Sequence, residues 1–163
     1  MGGASRVEGW VGGEHGDAAV PLWSTVKVEG VSIEDYSALM GVPLERRQVE
    51  SYVKAVSKFI VDTIGGTEYG PAASFRDITK AIVRDTNETL SIAAPTKFSQ
   101  ISEPVFVGLP TVIGQTLGPS LYQSLTETEK SRLGEASRTI FQTYLLALEG
   151  IEKQESYSPK LEN

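Results

Sequence analysis

Two stretches of this chain repeat apolar side chains every three or four residues, and they do not alternate regularly with the β-like runs around them. In residues 44–64, Val49, Tyr52, Val53, Val56, Phe59 and Ile60 fall on one helical stripe, while Glu45, Arg46, Glu50, Lys54 and Lys58 fall mostly elsewhere. Gly65-Gly66 ends that helix, because glycine adopts the left-handed conformation that closes helices. The other long helix starts at Thr126-x-x-Glu129, a capping-box pattern in which each side chain satisfies an orphan backbone N–H of the other residue. From there Leu133, Ala136, Ile140, Tyr144, Leu148 and Ile151 carry an apolar stripe to about residue 152. A shorter helix is expected over residues 71–84, with Pro71 in its first turn and Ala73, Ile78, Ala81 and Ile82 toward the core.

The remaining segments read as strands and turns. Residues 7–10 form a short strand, broken by the glycines and acids of Gly12-Gly13-Glu14-His15-Gly16-Asp17. Residues 20–28 form another, ending at Gly30, and Ser32 is placed to cap a short helix. Residues 89–93, 105–109 and 111–116 are further strand candidates, and Pro110 predicts a turn or bulge between the last two. The order is therefore strands, long helix, helix, strands, long helix. That is the α+β class, mixed or antiparallel strands packed with long helices, rather than the β-α-β alternation of a parallel sheet. A length of 163 residues suits one domain. It is expected over residues 1–152, followed by a polar tail, 153–163, that contains Pro159 and frays.

Charge and composition exclude several classes. The net charge of −6 gives no electrostatic footprint for nucleic acid, and Arg46-Arg47 is the only cationic cluster. With no cysteine there is no disulfide scaffold and no thiolate metal site, which suits a reducing, cytoplasmic setting. Residues 1–5 are too short and polar for a signal peptide, and every apolar run is interrupted by charge, so no membrane span is expected.

His15 is the one histidine. Imidazole is the side chain whose ordinary pKa, about 6.5, lies near neutral pH, so a loop histidine between glycines can serve as general acid or base. Composition alone favours a surface loop histidine without chemistry. Glu14 and Asp17 read as loop-structuring rather than catalytic, and Trp23 and Tyr69 as core or interface residues rather than pocket walls. Arg76 and Arg84 read as solvated helix charges.

The longer strings carry more. Val11-Gly12-Gly13-Glu14-His15-Gly16-Asp17 followed by Val20-Pro21-Leu22-Trp23-Ser24 resembles the active-site segment of the lactate/malate dehydrogenase family. Gly65-Gly66-Thr67-Glu68-Tyr69-Gly70-Pro71-Ala72-Ala73-Ser74 is similar to that family's pocket segment. Val107-Gly108-Leu109-Pro110-Thr111-Val112-Ile113-Gly114 resembles its late strand pair, and Leu125-Thr126-Glu127-Thr128-Glu129-Lys130 the opening of its last helix. The resemblance covers residues 7–152 and is closest to the malate-type, archaeal-looking branch. It implies that His15 exchanges a proton with the hydroxyl or carbonyl of a 2-hydroxy or 2-oxo acid while a hydride passes to or from nicotinamide. It also implies that Thr67 and Gly13 lie at the substrate and that the intact enzyme uses NAD or NADP and is a homo-oligomer.

The same resemblance shows what these residues lack. No Gly-x-Gly-x-x-Gly fingerprint, and hence no Rossmann domain, is present. The family's histidine-pairing aspartate and carboxylate-clamping arginine precede the histidine segment, and only 14 residues precede His15 here. Loss of the comparable carboxylate in a serine-protease triad costs about 10⁴ in turnover. The expectation is a substrate-side half that binds no cofactor alone, is inactive alone and needs a nucleotide-binding half. A separated half should also expose an apolar patch near the His15 loop, the Thr67 segment and the first long helix. The competing readings are a non-catalytic, self-associating scaffold derived from the family, and an unrelated small-ligand binder on the same fold.

Overall fold

A computed structural model describes residues 6–156. In chain order the elements are β1 (Val7–Gly13), β2 (Ala19–Val28), β3 (Val31–Ser32), α1 (Ile33–Met40), α2 (Arg46–Ile64), α3 (Tyr69–Arg84), β4 (Glu88–Thr96), β5 (Val105–Ile113), β6 (Leu117–Ser120) and α4 (Glu127–Ser156). A short 3₁₀ turn, Leu121–Ser124, leads into α4. The strands form one sheet in the order β3-β2-β1-β5-β4, with β6 also on β5, and every pairing is antiparallel. This is the expected α+β class, resolved to an antiparallel sheet.

Side chains alternate between the two faces of a strand. In β5 that alternation turns Val105, Val107, Leu109 and Ile113 inward, all buried, and leaves Phe106 exposed. The first half of α4 lies over this face, where Leu133 and Ala136 pack with Val20, Leu22, Val107 and Leu109. Phe98 joins them and meets Tyr122 edge to face, with ring centroids 5.7 Å apart. No helix among the described residues is long and apolar enough to cross a membrane.

Local signals in the sequence hold at three helix ends. The Ser32 hydroxyl accepts from the Asp35 N–H at 3.1 Å. Gly65 closes α2 at φ +78°. At the head of α4, the Glu129 N–H donates to Thr126 Oγ1 at 3.3 Å and the Thr126 N–H to Glu129 Oε2 at 2.9 Å, both halves of the capping box.

Four expectations need correction. First, β1 does not stop at Trp10 but runs through Gly12 and Gly13. Those glycines let β1 approach β5, since a Cβ on Gly12 would stand 2.8 Å from the Gly108 carbonyl. Second, β5 runs unbroken through Pro110, which pairs with Ser91 of β4. On its other side β5 meets β1 at Gly108 and β6 from Thr111, so the proline falls between the two partners. A proline costs a ladder bond only where an acceptor stands opposite its nitrogen. The strand then ends at Ile113, short of Thr116, and β6 follows as a separate strand. Third, of the α3 residues expected inside, Ala81 is buried and Ile78 half-buried, but Ala73 and Ile82 are exposed. Fourth, α4 continues to Ser156, four residues into the expected tail, and the rest of that tail lies outside the described residues.

Candidate active site at the β1–β2 loop

The loop between β1 and β2 is fixed from both ends. Gly13 leaves β1 at φ +88°, a backbone state suited to glycine, and a Cβ there would also stand 2.8 Å from the Ala18 carbonyl. The Ala19 N–H donates to the Gly16 carbonyl at 3.1 Å and starts β2. The Glu14 carboxylate folds back over its own loop and accepts from the Ala18 N–H at 3.2 Å. A Cβ on Gly16 would stand 2.6 Å from Glu14 Oε1, so a side chain there would push this carboxylate from its place. Glu14 is therefore loop-structuring, as read from the sequence.

His15 sits exposed on this loop, at a cleft of about 550 Å³. Gly13 and Gly108 line it with backbone, Ser91 adds a hydroxyl, and Lys54 and Lys58 come from α2. Lys54 Nζ donates to the Asp17 carbonyl at 2.6 Å, tying α2 to the histidine loop. Asp17 thus takes part in the site through its backbone. Among the described residues no carboxylate hydrogen-bonds the His15 ring. The arrangement offers an accessible imidazole beside a cleft sized for a small molecule, with ammonium groups on one wall.

Of the three residues picked from the sequence, His15 and Gly13 come together at the cleft and Thr67 does not. Thr67 is exposed in the link between α2 and α3 and does not line the cleft. Tyr69 is 90% exposed, neither core nor pocket wall, whereas Trp23 is buried. Lys54, Lys58 and Ser91 were missed. The lysines recur four residues apart, a visible signal, but periodicity does not tell which helix face docks.

Behind the cleft, Glu50 joins three elements. Its Oε1 accepts from Trp23 Nε1 at 2.7 Å, and its two oxygens accept from the terminal nitrogens of Arg132, each at 3.1 Å. The Arg132 hydrogen bond holds the Glu50 carboxyl below its ordinary pKa, against the opposing effect of burial, with help from Trp23. Arg46 pairs with Glu34 and lies over the Trp23 ring, 5.5 Å from its centroid.

Residues 4–145 match the lactate/malate dehydrogenase alpha/beta C-terminal domain. The chain belongs to that family. It is 36% identical over 150 residues to a malate dehydrogenase of Sulfolobus acidocaldarius, covering 92% of this chain and 47% of that protein. A malate dehydrogenase of Sulfurisphaera tokodaii is 37% identical over 147 residues, 90% of this chain and 46% of the relative. An L-lactate dehydrogenase B chain of Fundulus heteroclitus is 32% identical over 143 residues, 85% of this chain and 43% of the relative. The chain thus spans about half the length of the relatives it matches. The described strands pair only antiparallel, and the 163 residues contain no Gly-x-Gly-x-x-Gly string.

Proposed function

We propose that this chain is the substrate-side half of an NAD- or NADP-dependent malate dehydrogenase, with lactate as the alternative substrate, and that His15 is its proton donor and acceptor. In this reading His15 takes the proton of a 2-hydroxy acid in oxidation and returns it to the 2-oxo acid in reduction. The nicotinamide that exchanges the hydride is brought by a nucleotide-binding half. Gly13 presents backbone to the substrate. Thr67 belongs to the reading through its segment's resemblance and not through its place in the cleft. The malate branch is favoured by the two archaeal malate dehydrogenases among the relatives. The absence of cysteine suits the cytoplasm as the compartment.

The observation that carries the proposal is the placement of His15 on a loop pinned by Gly13, Glu14 and Gly16, at the edge of a cleft of small-molecule size. That loop fixes where the imidazole sits, but among the described residues no carboxylate orients the ring, and catalysis depends on such positioning. The 163-residue chain alone is therefore inactive. The test follows NADH consumption with oxaloacetate and with pyruvate, first for this chain alone and then after mixing with the nucleotide-binding half of a malate dehydrogenase. Turnover only in the mixture, abolished by His15→Asn, is the expected result. Clear turnover by the chain alone, or a mixture insensitive to His15→Asn, overturns the reading.

A further inference from the structure

The side chains that bind α2 to the rest of the fold are polar and lie four residues apart. Arg46 reaches Glu34 and Trp23, Glu50 reaches Trp23 and Arg132, Lys54 reaches the Asp17 carbonyl, and Lys58 lines the cleft. None of the described residues of α2 is buried, and Tyr52 and Phe59 of its apolar stripe are 70% and 68% exposed. Of that stripe only Val56 and Ile60 are even half-buried, so the apolar face of α2 is not packed into the core as an amphipathic helix usually packs. A hydrophobic seam therefore does not set this helix against the histidine loop. Hydrogen bonds do.

Of these contacts, those of Glu50 have the firmest footing. Arg132 directly precedes Leu133, which is fully buried in the core, and Trp23 directly follows Leu22, which is fully buried too. A guanidinium gripping both oxygens of a carboxylate fixes orientation as well as distance. The Arg132 and Glu50 side chains are 35% and 22% exposed, so the pair is shielded better than a surface ion pair. Lys54 follows Glu50 by one helical turn on the same face. Wherever Glu50 is held, Lys54 is presented to the loop.

We propose that Glu50 is a positioning residue for His15: clasped by Arg132 and Trp23, it sets α2 so that Lys54 holds the Asp17 carbonyl and keeps the histidine loop in place. The catalytic meaning of this role rests on the reading of His15 as the proton-transfer residue. The mechanical coupling does not.

The single histidine gives one imidazole signal in the 163-residue chain, which makes the loop easy to follow by magnetic resonance. Glu50→Gln should shift that signal and speed hydrogen exchange at the Ala18 and Ala19 amides at least about tenfold, the scale of losing a hydrogen bond to a charged group. The Val107 and Leu109 amides in β5 should keep their protection. Lys54→Met should do the same, and Glu50→Gln added to Lys54→Met should change nothing further, because one line of contacts is then cut twice. Additive effects, or a loop that ignores Glu50→Gln, overturn the proposal. If Glu50→Gln strips the β5 amides of protection, Arg132→Lys replaces it as the test, since lysine cannot grip both oxygens. Partial loosening of the loop then supports the role, and none overturns it. These readouts need no turnover. A failed complementation assay therefore removes the function of His15 and leaves the coupling standing, while a silent loop with restored turnover removes only the coupling.

Discussion

Glu129 is an acid only 5% exposed, and its two oxygens accept four hydrogen bonds. The Ser24 N–H and hydroxyl donate at 2.8 and 2.7 Å, and the Thr126 N–H and hydroxyl at 2.9 and 2.7 Å. Burial is the largest single influence and raises its pKa, but the bonds from Ser24 and Thr126 together outweigh it and hold the carboxyl below 4.5. Glu50 is lowered as well, first by Arg132. A carboxyl whose folded pKa is depressed adds stability that is fully present above its unfolded value and is lost as pH falls through the folded one. The denaturant midpoint should therefore stay level from neutral pH down to about 5 and fall once pH drops below about 4.5. Glu129→Gln should flatten that acid limb, and Glu129→Ala should cost roughly 2–4 kcal/mol at pH 7, since Ser24 and Thr126 lose their acceptor. An acid limb of unchanged steepness in Glu129→Gln would sink the assignment. His15 behaves oppositely. It is exposed, so His15→Asn should move stability by less than about 0.5 kcal/mol while removing turnover in the complemented assay.

At the scale of elements, the close approach of β1 and β5 places the histidine loop. A Cβ on Gly108 would stand 2.9 Å from the Gly13 carbonyl, backbone against backbone, where no side chain can yield. Gly108→Ala should therefore destabilise the fold by about 1–3 kcal/mol, seen as a lower thermal midpoint, and should disturb the loop that starts at Glu14. An unchanged midpoint and unmoved His15 signal would count against this strand contact. The same contact explains what could be read from sequence and what could not. Short-range chemistry was legible: the Thr126–Glu129 box, the Ser32 cap and the Gly65 stop each involve residues within one turn. The His15 segment was singled out by its resemblance to a dehydrogenase string, since local residue chemistry alone favoured a plain surface histidine. Choices made by distant partners were not. Gly12 looks like a strand breaker until β5 lies beside it, Pro110 looks like a break until β1 and β6 leave a gap for it, and β6 has only four residues to announce it. Lys54 and Lys58 became part of the site only because the tertiary fold lays α2 beside the histidine loop.

Across the whole molecule, the buried core lies mainly between the sheet and the first half of α4, with Phe98, Ile101 and Leu125 added from adjoining loops, and apolar surface is left outside it. Tyr52 and Phe59 on α2, Phe75 and Val83 on α3 and Leu146 on α4 are all exposed; of these, Tyr52 and Phe59 lie on the first long helix, where an apolar surface was expected. Such a face lowers its free energy by meeting another apolar surface, at roughly 25 cal/mol per Å² removed from water. In a solution of this chain alone, that surface is a second copy. Sedimentation equilibrium should show association that grows with concentration, and Tyr52→Glu with Phe59→Glu should weaken it without shifting the unfolding midpoint of the monomer, because neither side chain touches the core. A chain that stays monomeric at every concentration would show the face too small to drive contact. Adding the nucleotide-binding half of a malate dehydrogenase then separates the two readings of the molecule. If that half disperses the self-associated chain and restores turnover, the exposed α2 face is the unsatisfied side of an enzyme. If the self-association persists and no turnover appears, the chain is a scaffold that has kept His15 without its reaction.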